Sequence, residues 1–198
     1  MQTRCFWVNN DSLYIKYHDN EWGKPVFDDE TLFEFLILES FQAGLSWITI
    51  LKKRENFRKA FDNFDYKKIA LYSETKYESL LQDAGIIRNK LKIKSAITNA
   101  QLFIEIQKEF GSFSKFIWNY VDGKPIINKF DKREDVPATT LLSDKISKDL
   151  KNNIVRLFLF FPLLLILLLL ILNPMVYHLH VQLEDNKHRY LMLGQVVL

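Results

Sequence analysis

Several features that are common in other classes of protein are absent from this sequence, and each absence excludes a fold class, a cellular location or a kind of partner. A single cysteine, Cys5, excludes a disulfide framework within the chain and predicts a reducing compartment. The opening stretch, MQTRCFWVNND, has no apolar segment like those of secretory signals, so a cytoplasmic location is expected. The formal net charge of only +3 permits a polyanionic partner without requiring one. Because no stretch sustains the alternation of apolar and polar residues typical of strands, residues 1–150 are predicted to be all-α.

Helical spacing of apolar residues takes the place of that alternation. Residues 29–40 are predicted to form one helix, with Asp28 or Asp29 as its N-cap and acidic residues in its first turn. A second helix is expected to begin at Ser46, with an apolar stripe on one side and a strongly basic face on the other. A long helix is expected over about 89–110.

The segment DAGIIRNKLKIK places Gly85 between two predicted helices and follows it with basic residues. Glycine lets a phosphate approach closely, and the backbone N–H groups at the start of the next helix can bind that phosphate. The basic side chains Arg88, Lys90, Lys92 and Lys94 would add salt-dependent affinity for DNA. The pattern is therefore typical of a helix-hairpin-helix motif, although an ordinary helix–helix turn with a solvated basic face has the same pattern.

Cys5 and His18 could bind zinc together if two further ligands were present. Their wide separation in sequence differs from the usual zinc motifs, in which ligands come in two close pairs. A buried thiol and an unrelated histidine is the alternative interpretation.

Glu39 lies inside the apolar stretch FLILESFQAGLSWITIL, where a carboxylate is costly to bury unless it is paired or hydrogen-bonded. The early part of the chain is also rich in aromatic residues, namely Trp7, Tyr14, Tyr17, Trp22 and Trp47. Aromatic faces attract cations and stack on nucleobases, so this set could line a pocket for a cationic ligand. An aromatic core with Glu39 on the outer face of its helix fits the same pattern.

Four stretches together match a known family. They are RCFWV, LYIKYHDNEWGKP, LFEFLILESFQAGLSWITILKKRENFRKAFDNFD and LLQDAGIIRNKLKIKSAITNA, and they cover most of residues 4–100. Through them the chain resembles the DNA-3-methyladenine glycosylase I family, with weaker similarity as far as about Leu150. The resemblance implies a two-lobed helix-hairpin-helix DNA glycosylase fold with a base pocket between the lobes. It also implies base-excision repair: hydrolysis of the N-glycosidic bond of 3-methyladenine in alkylated double-stranded DNA after base flipping.

The resemblance further implies roles for individual residues. Glu39 matches the pocket carboxylate and is the expected catalytic residue, accepting hydrogen bonds from the exocyclic amine side of the base. The aromatic lining of the substrate pocket corresponds to Trp7, Tyr14, Tyr17, Trp22 and Trp47, with Trp47 stacked on the flipped base. The DNA-anchoring hairpin corresponds to Gly85, Ile86, Arg88 and Lys90. Cys5 and His18 match two of the four ligands of a structural zinc, for which His178 is a candidate third.

The sequence after Leu150 departs from the family pattern. Leu157–Leu172 is a low-complexity apolar run that contains Pro162 and falls just short of the about 17–25 residues that a membrane-spanning helix needs. The family's closing helix and its final histidine–cysteine pair are missing. A membrane anchor and a disrupted reading frame both explain this tail, and the abrupt change inside an expected helix favours disruption.

The chain is accordingly divided into a glycosylase domain, 1–150, and an atypical tail, 151–198. Two alternatives to an active glycosylase follow from this division. One is a methylated-base or damaged-DNA binding protein that does not turn over. The other is an inactive product with a disrupted C-terminus.

Overall fold

The computed structural model describes residues 4, 5, 8–126, 137 and 139–157, the last of these as backbone only from residue 151. Within these ranges the chain is helical and contains no strand, as predicted. The eight α-helices in this part of the chain are α1 (Ser12–Asn20), α2 (Asp29–Gln42), α3 (Trp47–Ala60), α4 (Tyr66–Ile69), α5 (Glu74–Gln82), α6 (Lys90–Phe110), α7 (Phe113–Trp118) and α8 (Leu141–Leu157). None of the described helices is long and apolar enough to cross a membrane.

Helix α2 begins where its capping residue predicts and ends slightly later than expected. The Asp28 carboxylate accepts hydrogen bonds from the amides of Glu30 and Thr31, at 3.3 and 2.8 Å. The helix continues to Gln42, and the chain then turns through Gly44, whose φ of +79° lies in the left-handed region that favours glycine. This turn leads directly into α3, so the two helices share one short connection.

Helix α2 is the centre of the core. Its buried residues lie on every side of the helix: Leu32, Phe33, Leu36, Ile37, Leu38, Glu39, Ser40 and Phe41. A helix that is apolar all around belongs inside a domain, where other helices cover it. Helices α3, α6 and α7 all pack against α2, and the predicted apolar stripe of α3 is buried against it. The core therefore encloses the carboxyl group of Glu39.

Helices α5 and α6 and the turn between them form the predicted hairpin. The turn runs from Asp83 to Asn89, and the Asn89 side chain caps α6 by accepting hydrogen bonds from the amides of Leu91 and Lys92. Gly85 is needed here for packing, because a Cβ atom at this position would lie 3.2 Å from Cβ of Asn56 on α3. The hairpin turn is thus pressed against the helix that begins with Trp47.

Helix α8 continues past the predicted domain boundary at Leu150 and is described as far as Leu157. Its first part docks on the turn after α7, where the Tyr120 hydroxyl donates a hydrogen bond to Asp149 at 3.1 Å. Ile146 and Leu150 are buried in the same contact region. The division at Leu150 stays a prediction, and the rest of the tail lies outside the described residues, as do Trp7 and His178.

Candidate active site

Glu39 is buried in the interior of the protein, with 4% of its surface exposed. The alternative that placed it on a solvated helix face is therefore wrong. Burial removes water from the carboxylate, and this raises the pKa of Glu39 from its ordinary 4.5 to about 8. A carboxyl group with such a pKa, inside an aromatic environment, is a typical component of a functional site.

Tyr17 lies beside Glu39 and packs against Trp47. Their ring centroids are 5.5 Å apart, and both side chains are almost fully buried. The pKa of Tyr17 is raised well above its ordinary value, first by burial and then by the neighbouring charge of Glu39. The structure therefore brings a carboxyl, a phenol and an indole together, which is the combination that would recognise a flat cationic ring.

Tyr14 fixes the start of α3 and thereby the position of Trp47. Its hydroxyl oxygen accepts a hydrogen bond from the Ile48 amide at 3.0 Å. Ser46, at which the helix was expected to begin, is instead its N-cap residue; it makes no capping hydrogen bond and bonds the Thr49 hydroxyl at 2.7 Å. A tyrosine from α1 thus satisfies one of the exposed amides at this helix start, which sequence reasoning did not anticipate.

The basic face of α3 is less exposed around Arg54 than its sequence suggests. Arg54 forms ion pairs with Glu21 and Glu34, both at 2.6 Å, and its guanidinium lies 5.2 Å from the centroid of the Phe35 ring. Phe35 in turn lies 6.5 Å from the Tyr17 ring. Arg54 of α3 therefore joins the end of α1 to α2. No spacing rule identified it, because its partners lie in two segments that are distant from it in sequence.

The predicted DNA-anchoring residues lie on the hairpin turn, but not all of them face outward. Arg88 and Lys90 are exposed, whereas the Ile86 side chain is 3% exposed and belongs to the core. Only the backbone of Ile86 could therefore contact DNA. Among the described residues, the amides of Ile87 and Arg88 donate no hydrogen bond, so both are available to a phosphate.

One of the basic residues expected to face DNA does not do so. Lys92 is buried, and its Nζ donates hydrogen bonds to the carbonyl oxygens of Phe41 and Ala43, at 2.9 and 2.5 Å. Burial lowers the pKa of Lys92. The expectation that this lysine adds to salt-dependent DNA affinity is wrong, because its buried ammonium group is hydrogen-bonded to carbonyl oxygens at the end of α2.

Cys5 and His18 are brought together at the start of the chain. The Cys5 amide donates to Nε2 of His18 at 3.4 Å, and both residues are buried. Nδ1 of His18 lies 2.9 Å from the carboxylate of Asp19, which Arg4 also binds. Arg4 first, and then His18, lower the pKa of Asp19 to about 2. Trp22 stacks on the His18 ring, with 5.3 Å between centroids.

This arrangement suits two ligands of a metal, but the described residues do not complete the set. They contain no group of three or more histidine, cysteine or acidic side chains placed to hold a metal ion. An Asp carboxylate on Nδ1 is the outer-shell partner that zinc-bound histidines usually have, and it leaves Nε2 directed towards Cys5. Nε2 of His18 is therefore the atom that a metal would bind, and it accepts from the Cys5 amide in this structure.

Comparison with known proteins gives a consistent result. A family model for methyladenine glycosylase matches residues 7–158. DNA-3-methyladenine glycosylase of Haemophilus influenzae is 48% identical over 152 residues, which are 77% of this chain and 82% of that protein. DNA-3-methyladenine glycosylase 1 of Escherichia coli K12 is 47% identical over 149 residues, or 75% of this chain and 80% of that protein.

Solved structures agree with the sequence relatives. A crystal structure of a 3-methyladenine DNA glycosylase I has a TM-score of 0.77 at 41% identity and covers 92% of this chain and 95% of its own. The Staphylococcus aureus 3-methyladenine DNA glycosylase I, solved to show 3-methyladenine recognition, has a TM-score of 0.79 at 32% identity, with coverage of 94% and 98%. The chain belongs to the methyladenine glycosylase family.

Proposed function

We propose that this protein is a DNA-3-methyladenine glycosylase that removes 3-methyladenine from alkylated DNA during base-excision repair. Family membership supports the activity. The observation that carries it on the structural side is the buried carboxyl of Glu39 next to Tyr17 and Trp47. A buried acid among aromatic rings is costly for the empty protein, and a cationic ligand that hydrogen-bonds to it offsets that cost.

Hydrolysis of this N-glycosidic bond requires little from the protein beyond recognition of the methylated base. Methylation at N3 gives the adenine a positive charge, so the base is already a good leaving group. When the N-glycosidic bond breaks, its electron pair neutralises the base, and positive charge develops on the sugar at C1′. Water then attacks C1′ and loses a proton, leaving free 3-methyladenine and an abasic site. The reaction therefore requires a pocket that holds the flipped base cation in a water-poor environment.

Binding of the flipped base is shared among Glu39, Trp47 and the tyrosines. Glu39 accepts hydrogen bonds from the exocyclic amine side of the base, and the positive charge of the base favours its ionised form. Trp47 stacks on the face of the base, with Tyr17 against the indole. Tyr14 holds the start of α3. Trp7 and Trp22 are proposed to complete the lining.

The hairpin turn is proposed to hold the DNA backbone. The Ile87 and Arg88 amides would bind one phosphate at the start of α6, and the exposed Arg88 and Lys90 side chains would add electrostatic attraction. Gly85 and Ile86 would shape the turn, since their amides donate to Asp83, at 2.7 and 3.4 Å, and the Ile86 side chain is in the core.

The assay that tests the proposed function is release of 3-methyladenine from methylated duplex DNA by the purified full chain. We expect time-dependent release of the base with an equal number of new abasic sites. Binding of methylated DNA without release would instead indicate the non-catalytic binding protein. Neither binding nor release would indicate an inactive product.

We further propose that Cys5 and His18 hold a structural zinc together with His178. Two protein ligands alone bind zinc weakly, so retention of the metal depends on a ligand from beyond the described residues. Bound zinc would tie the start of the chain to its tail and would take no part in the reaction. The Nε2 atom that now accepts from the Cys5 amide would become the metal ligand.

Metal content tests the zinc site directly. After purification and dialysis, the wild-type chain should retain about one zinc per molecule. His18→Ala and His178→Ala should each lose most of it, and a chelator should lower the melting temperature of the wild type only. No zinc in the wild type, or equal zinc in all three proteins, would reject the site.

A further inference from the structure

Two lysines connect the DNA-anchoring hairpin with the segments that carry Glu39 and Trp47: Lys53 links α3 to the hairpin turn, and Lys92 links α6 to the end of α2. Lys53 lies on α3, the helix that begins with Trp47, and its Nζ donates to the carbonyl oxygens of Ala84 and Gly85 in the hairpin turn, at 3.1 and 3.0 Å. Lys92 lies in the first turn of α6, just after the hairpin turn. Its Nζ donates to the carbonyl oxygens of Phe41 and Ala43 at the end of α2.

Each of these four carbonyls lies where the chain leaves regular structure. Phe41 is in the last turn of α2 and Ala43 is its C-cap residue, so their oxygens lack partners within the helix. A cation at a helix C-terminus is also favoured by the helix dipole. Ala84 and Gly85 form the middle of the hairpin turn, and Asn56 of α3 also approaches the Gly85 oxygen, at 3.4 Å.

We infer that Lys53 and Lys92 are positioning residues that fix the distance between the phosphate-binding hairpin and the base pocket. This inference rests on the proposed function. A flipped base remains covalently attached to the strand whose phosphate the hairpin holds. The spacing between hairpin and pocket therefore decides whether the base lies correctly between Glu39 and Trp47. Free 3-methyladenine has no such tether, so its binding does not depend on that spacing.

This difference between tethered and free base provides the test. Lys53→Met and Lys92→Met keep most of the side-chain volume and remove the donated hydrogen bonds. We expect each variant to lower kcat for methylated duplex DNA about 10- to 100-fold, because small misplacements of a reacting group cost about that much. The dissociation constant for free 3-methyladenine should change less than about threefold, since Glu39 and Trp47 keep their own helices and core contacts.

Two control variants and one assay condition separate positioning from loss of folding. Lys59→Met, an exposed lysine on the same helix as Lys53, is the matched control and should have wild-type kinetics. Lys53→Arg should restore most of the lost kcat, because it can again donate to the two hairpin carbonyls. All assays are run well below the melting temperature of each variant, so that a merely destabilised protein keeps its kcat.

The outcomes distinguish this inference from the function on which it rests. Absence of base release by the wild type would overturn both. Normal release by the wild type together with unchanged kcat in both methionine variants would overturn the positioning role alone. Equal losses in kcat and in affinity for free base would also overturn it, because they would indicate damage to the pocket itself.

Discussion

Glu39→Gln should stabilise the empty protein at pH 8 and at the same time impair its reaction. The Glu39 carboxyl ionises near pH 4.5 in the unfolded chain and near pH 8 in the folded one. Because the folded state holds the proton more tightly, the free energy of unfolding falls as the pH rises from about 4.5 to about 8. With about 1.4 kcal/mol for each pKa unit, the wild type should lose about 3–5 kcal/mol across this window. Glutamine cannot ionise, so the variant should lack this loss.

Chemical denaturation of the two proteins at pH 5 and at pH 8 measures the effect. The variant should be more stable than the wild type at pH 8 by several kcal/mol, and the two should be similar at pH 5. Glu55→Gln is the control, because Glu55 is an exposed carboxyl on α3. Its stability should follow the wild type. An equal pH dependence for wild type and Glu39→Gln would show that Glu39 is ionised in the folded protein at both pH values.

The rate of the reaction should change with pH in the direction opposite to stability. The profile of kcat/KM against pH reports groups of the enzyme without substrate, and recognition of the cationic base needs the ionised carboxylate. The wild-type value should therefore rise with pH through about pH 8 and level off only above it, whereas Glu39→Gln should be slower and lack this rise. Affinity for free 3-methyladenine should also fall in the variant. An unchanged affinity would remove Glu39 from base recognition.

The helices were predictable because their signals are local. Asp28 caps α2, Asn89 caps α6, and the apolar spacing of α3 marks its buried side, all of which can be read within a few residues. Burial of Glu39 could not be read in this way, since α2 is covered on every side and its sequence has no solvent-facing stripe. The family resemblance, not the periodicity, indicated the pocket.

The other features that the sequence did not predict depend on contacts between segments that are distant in the chain. Lys92 looked like one more basic residue of the hairpin, and only the fold shows that α6 carries it to the end of α2. Tyr14 reaches the start of α3 for the same reason. The membrane anchor and the disrupted frame both concern the tail after Leu150, of which the structure describes only the backbone of 151–157, so they stay predictions, as does the cytoplasmic location. Sequencing the gene around codon 151 would decide between anchor and frame disruption.

Trp47→Ala should have the largest effect on base binding of any single change in the pocket. Stacking of a base on an aromatic side chain contributes about 1–3 kcal/mol, so its loss should weaken affinity for 3-methyladenine by about 5- to 150-fold. Trp47 is also 2% exposed and touches Tyr17, so the alanine variant should lose about 3–5 kcal/mol of unfolding free energy. Trp47→Phe keeps an aromatic face and should retain affinity within about tenfold.

A second tryptophan separates stacking from stability. Trp118 on α7 is also buried, stacks on Phe27 with 4.3 Å between centroids and donates from its indole to the Val26 carbonyl at 2.7 Å. Trp118→Phe should therefore lower the melting temperature without changing affinity for the base, as measured by equilibrium dialysis. If Trp47→Ala weakened binding no more than Trp118→Phe, loss of stability would explain both results. If affinity for 3-methyladenine falls in Trp47→Ala and largely recovers in Trp47→Phe, base binding requires an aromatic face at this position. The reason is that phenylalanine keeps an aromatic ring there, whereas alanine does not.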